Sequence, residues 1–149
     1  MNTLTEAKSY LRTHFVQGVK CPCCDQFVKQ YKRGISAATA VKLIRLYHMP
    51  RGFHDYRKLC RLKEQIGDFP KLRYWGLTEL QPKDPDVTET RTSGMWAITA
   101  KGIAFVENLI TVPKYVLLYD SNLRGFEGAE VGIEETLGTK FNYQELMNR

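Results

Sequence analysis

The chain has 149 residues, 43% hydrophobic and 26% charged, enough to bury one compact core and unlike a disordered segment. No apolar run approaches the ~20 residues of a membrane span, and the opening MNTLTEAK lacks a signal-peptide layout, so a soluble cytoplasmic protein is expected. The net charge of +6 is uneven: residues 1 to 75 hold 15 Lys or Arg against 5 acids, while residues 76 to 149 hold 7 against 11, which makes the halves +10 and −4. The basic half suits phosphate contacts, and equally a solvated cationic surface.

In chain order, Thr3 with Glu6 three residues on is a capping pair for a first helix. Leu4, Ala7, Tyr10, Leu11 and Phe15 form its apolar stripe, and Gly18 ends it before the tight loop VKCPCC. Residues 25 to 33, DQFVKQYKR, are expected to form a short helix pairing Phe27 with Tyr31 and stopped by Gly34. Ser36 caps a long helix with Ala37, Ala40, Val41, Ile44 and Tyr47 on one face and Lys42 and Arg45 on the other. MPRG at 49 to 52 breaks that helix, and Tyr56, Leu59 and Cys60 suggest another short one near 55 to 64.

In GDFPKLRYWGLTEL, Asp68 is expected to cap a two-turn helix with Pro70 in its first turn and a left-handed Gly76 at its end. Leu72 and Trp75 then face inward, leaving Lys71, Arg73 and Tyr74 on the other sides. Residues 77 to 80 read as a strand, PKDPDVTETRTSG as a long polar hairpin, and 95 to 98 as the returning strand, with Trp96 and Ile98 on one face. Thr99 caps the helix AKGIAFVENLI. VPKYVLLY at 112 to 119 reads as a strand, SNLRGFEGAE as turn residues, Val131 and Ile133 as a return strand, and EETLGTKFNYQELMNR as a short acidic helical tail.

LRYWGLTEL, the polar hairpin and SGMWAITAKGIAFV together resemble the winged helix-turn-helix pattern over roughly residues 36 to 110. The whole chain is also similar to small proteins of phages and prophages. The expected fold is thus α+β: a winged helix-turn-helix core at 36–110, an N-terminal helix and cysteine loop at 1–35, and a C-terminal β-hairpin and short helix at 111–149, in one compact domain. What the resemblance implies is a recognition helix in the major groove of duplex DNA and a wing at the minor groove or backbone. The implied contacts are Arg45, Arg57, Lys71, Arg73 and Tyr74, with Arg91, Thr92 and Ser93 on the wing. Arg73 suits a guanine edge and Lys71 a phosphate. Asp84, Asp86 and Glu89 make the wing acidic, which favours a competing use of the fold: a protein-interaction module or inhibitor that binds a host defence or transcription complex.

Cys21 and Cys24 have the C-x-x-C spacing of half a tetrahedral zinc site, and CPCCDQ resembles a zinc-ribbon knuckle. Four ligands would require Cys60 and one of His14, His48 or His54. The alternative, to which the lack of a second C-x-x-C leans, is a tight loop of small thiols without metal. A thioredoxin-like role is disfavoured because a helix, not a strand, precedes the motif. His54 reads as structural. Paired carboxylates, a phosphate-cradling glycine loop and H-E-x-x-H are all missing from the sequence, and Glu134 with Glu135 suits a helix start, so no enzyme is expected.

Overall fold

The computed structural model describes residues 3–60, 67–82 and 94–148. It is a mixed α+β structure with small antiparallel sheets. No helix among the described residues is long and apolar enough to cross a membrane. The chain divides into two compact units, one of residues 1–34 with 115–128 and one of 35–114 with 129–149. This differs from the expected division at 36 and 111, because the C-terminal strands are shared between units and the helical tail belongs with the central segment.

In the first unit, helix α1 (Leu4–His14) opens where its cap predicts, with Thr3 Oγ1 accepting from the Glu6 N–H. Gly18, at φ +101, closes the turn by donating to the His14 carbonyl. Two short strands follow, β1 (Val19–Lys20) and β2 (Phe27–Val28), paired antiparallel around the CPCC loop.

The helix expected over 25 to 33 is not formed. Asp25 is left-handed at φ +62, and β3 (Tyr31–Gly34) pairs instead with the later strand β7 (Val112–Tyr119). Tyr31 lies opposite Leu118 and Arg33 opposite Val116. The physical reason is that Phe27, Val28 and Tyr31 fit a pleated surface well: Phe27 and Val28 close a local hairpin with Lys20 and Val19, while the ladder partners of Tyr31–Gly34 lie about eighty residues away.

In the second unit, helix α2 (Ala37–His48) is the central element. Ser36 and Thr39 form its reciprocal capping box. Ala40, Val41, Leu43, Ile44 and Leu46 are buried, and α2 packs against the helices and sheet that follow it. Lys42, expected to face outward, is 5% exposed, with its ammonium extending toward Gly67. The correction has a simple cause: a helix covered on several sides has little free outer face.

Beyond α2, β4 (His54–Asp55) leads into a 3-10 turn, Tyr56–Leu59, where a longer helix was expected. Residues 61 to 64 of that expected helix lie outside the described residues. A second 3-10 segment, Phe69–Trp75, precedes β5 (Thr78–Leu80) and β6 (Met95–Ile98), and β6 runs into α3 (Ala100–Val106). The sheet order is β4-β6-β5, with β6 in the middle. Most of the expected polar hairpin, residues 83 to 93, lies outside the described residues.

The last strand, β8 (Asn122–Val131), corrects the expected turn over SNLRGFEGAE. Asp120 and Ser121, at φ +50 and +62, make a two-residue reversal of the kind that matches strand twist, so pairing resumes at once. Ile133 does not return as a strand residue. It opens α4 (Ile133–Leu137), and α5 (Tyr143–Met147) follows with Asn142 as its cap.

Candidate nucleic-acid interface

The Phe69–Trp75 segment is 3-10 rather than α-helical, and its sequence explains why. Apolar residues stand three apart at Phe69, Leu72 and Trp75, and with three residues per turn they eclipse one another on a single face. All three are buried, at 1%, 1% and 3% exposure. Gly76 ends the segment at φ +76 and bonds back to the Arg73 carbonyl. Its carbonyl accepts from Thr99 Oγ1, which also caps α3 by accepting from the Gly102 N–H. The expected inward and outward residues are therefore found, and Gly76 behaves as read.

Asp68 does not cap through its side chain. Its carboxylate takes the Lys71 ammonium at 3.0 Å, while its carbonyl accepts the Lys71 N–H. Arg73 is exposed and lies with its guanidinium carbon 5.0 Å from the Tyr74 ring centroid, with Nη2 donating to Tyr74 Oη at 3.2 Å. No carboxylate among the described residues pairs with Arg73. The segment thus presents one planar cation stacked beside an aromatic ring and one ammonium held by a neighbouring acid.

The other cations differ in availability. Arg57 is clamped on Asp55 through Nε and Nη2, the shortest bond being 2.8 Å. These bonds, together with the Arg57 backbone N–H, hold the Asp55 carboxyl below the usual aspartate range against a smaller opposing effect of burial. Arg45 is half-buried and donates to the Leu59 carbonyl at 2.7 Å, so it faces inward rather than along the outer face expected for it. Arg91 and Thr92 lie outside the described residues, as do Ser93, Asp84, Asp86 and Glu89.

Sequence reasoning missed Lys101. It is exposed on α3, and its side chain lies over Gly76, with Cδ 3.6 Å and Nζ 4.0 Å from where a Cβ on that glycine would stand. The sequence shows Thr99 as the cap of α3, but the bond from Thr99 to the Gly76 carbonyl, which brings the first turn of α3 to the end of the 3-10 segment, is visible only in the structure.

The cysteines and histidines are placed as follows. Cys21 is buried, Cys23 and Cys24 are exposed, and all are free thiols. The Cys23 N–H donates to Cys21 Sγ at 3.4 Å, and this bond, with a second from the Cys24 backbone, holds the Cys21 thiol below its ordinary range. Cys60 belongs to the other unit and points its thiol at the Tyr56 carbonyl. His14 packs edge-on against Tyr10, while the Nε2 atoms of His48 and His54 meet the Leu146 and Pro50 carbonyls at 2.7 and 2.6 Å. Among the described residues, no three His, Cys, Asp or Glu side chains are grouped as a metal site. Compared with protein-family models, curated proteins and solved structures, the chain matches none.

Proposed function

We propose that this is a DNA-binding protein of the winged-helix kind, a regulator carried by a phage or mobile element, which acts by binding rather than catalysis. The Phe69–Trp75 segment is its recognition element, and the connection between β5 and β6 is its wing. The single observation that carries the reading is the state of Arg73: exposed, braced by Tyr74 and paired with no carboxylate among the described residues. A planar guanidinium held that way is suited to the two acceptors of a guanine edge. The order helix, strand, short helices, strand, strand, helix, with β6 central, supports it. So does the cationic side chain of Lys101 beside the same segment. In this arrangement Lys71 and Lys101 meet phosphates, and Arg73 meets a base.

The test is a titration of the full chain on random duplex DNA at two salt concentrations. Phosphate contacts release condensed counterions, so affinity must fall steeply as salt rises. Absence of any complex at low salt would end the DNA reading.

A second reading, a module that binds a host protein of a defence or transcription complex, is favoured by β8. It is an edge strand of ten residues, with Leu123 and Phe126 each 43% exposed. Exposed strand edges are templates for pairing with another chain. Salt-insensitive capture of a protein partner, with no DNA complex, would select this reading.

A further inference from the structure

The CPCC loop is built more tightly than a connection between two short strands requires. β1 and β2 pair Lys20 with Phe27, and the Cys21 N–H continues the pairing with a 2.7 Å bond to the Gln26 carbonyl. The Asp25 N–H returns to the Cys21 carbonyl at 2.9 Å, and Asp25 itself is left-handed at φ +62. That conformation is unfavourable for most side chains, and within the turn it closes the backbone N–H of Cys23 donates to Cys21 Sγ at 3.4 Å. Peptide N–H groups aimed at a sulfur favour negative charge on it, as a metal-bound thiolate requires. Cys24, three residues on, is exposed with a free thiol.

Cys21 and Cys24 supply two thiol ligands at C-x-x-C spacing on this turn, and a closed structural site for a soft tetrahedral cation takes four. Among the described residues nothing completes a third position. Cys24 is at the surface, and Phe27, three residues beyond it, is 58% exposed. The missing half can therefore come from outside the chain, and an identical loop offers an identical bite related by a twofold axis.

We propose that Cys21 and Cys24 form half of a tetrathiolate site for a soft divalent cation of the zinc type, and that the same pair in a second copy of this chain forms the other half. On binding, the four thiols lose their protons to solvent and four metal–sulfur bonds form, leaving a site with a net charge of −2 and no change of oxidation state. Cys23 and Cys60 take no part. Cys21 and Cys24 take no part in the contacts proposed for the Phe69–Trp75 segment, and the two proposals stand or fall independently.

The probe is Co²⁺, added without oxygen to the full chain reduced with a phosphine, followed by exchange with Zn²⁺. The expected result is thiolate-to-cobalt charge-transfer absorption with the visible bands of a tetrahedral ion, saturating at one metal per two chains. Light scattering should show a dimer that returns to monomer on adding EDTA. Cys21→Ser and Cys24→Ser should each abolish uptake and dimer, while Cys23→Ser and Cys60→Ser keep both. Circular dichroism of the serine variants guards against misfolding, and alkylation of wild-type thiols, blocked by metal only at Cys21 and Cys24, gives a readout that needs no variant. Saturation at one metal per chain in a monomer, no uptake by reduced protein, or a dimer indifferent to EDTA would each overturn the proposal.

Discussion

The indole Nε1 of Trp75 donates a 2.7 Å hydrogen bond to the carbonyl of Pro113, tying the end of the 3-10 segment to β7. Trp75 is 3% exposed, so it contributes both a large apolar surface and the partner of a part-buried carbonyl. Trp75→Ala should cost ~3 to 5 kcal/mol. Trp75→Phe keeps much of the ring but leaves Pro113 without that donor, at about 1 to 3 kcal/mol. Urea unfolding of both variants checks this. An alanine variant as stable as wild type would show that the indole is not a core element.

Gly102 is fixed by a neighbour rather than by backbone freedom. A Cβ there would stand 2.1 Å from the Leu77 carbonyl oxygen, which also accepts the Thr99 N–H at 3.1 Å. That oxygen cannot retreat without disturbing the start of β5. Gly102→Ala, which would improve an isolated helix, should instead destabilise by ~1 to 3 kcal/mol as an overpacked site. A raised melting temperature would show that α3 and β5 can separate at no cost.

Local signals carried well from sequence to structure and distant ones did not. Thr3, Ser36 and Thr99 accept from the N–H groups their spacing implies, and Gly76 is left-handed, because each of these depends on residues within a few positions. Residues 31 to 34 depart from the expected helix because β3 owes its form to β7, whose pairing no local pattern reveals, and Phe27 and Val28 because they close a hairpin with β1. Asp120 and Ser121 hid a tight reversal by taking positive φ without glycine. Lys42 looked solvated because its covering elements follow much later in the chain. In the site, the sides taken by Lys71, Arg73 and Tyr74 followed from the apolar face, whereas the engagement of Arg57 by Asp55 and of Arg45 by Leu59 needed geometry.

Asp55 provides a pH test. Its carboxyl is held low by Arg57, so the interaction is fully present above the ordinary aspartate value of about 3.9. It is lost as pH falls through that value toward the lower folded one. Arg57 is 75% exposed, so the effect on stability is small. Asp55→Asn should flatten part of the acid limb of melting temperature against pH and change little near pH 7. The same substitution releases the Arg57 guanidinium, so binding to duplex DNA at low salt should tighten. An unchanged acid limb would show that the Arg57 clamp does not persist in solution.

Arg73 and Lys71 separate reading from anchoring. Arg73 is braced on Tyr74 and stands free of described carboxylates, whereas Lys71 shares its charge with Asp68 at 3.0 Å. Arg73→Ala should lose ~1 to 3 kcal/mol of discrimination at one base pair. Arg73→Lys should fail to restore it, since an ammonium cannot present two parallel donors. Lys71→Ala should weaken all sequences alike and lower the salt slope by about 1. Competition titrations over a randomised duplex pool, repeated at two salt concentrations, give both numbers. If Arg73→Ala behaves as Lys71→Ala does, lowering affinity without altering preference, Arg73 is a phosphate anchor and the base-reading role belongs to another residue.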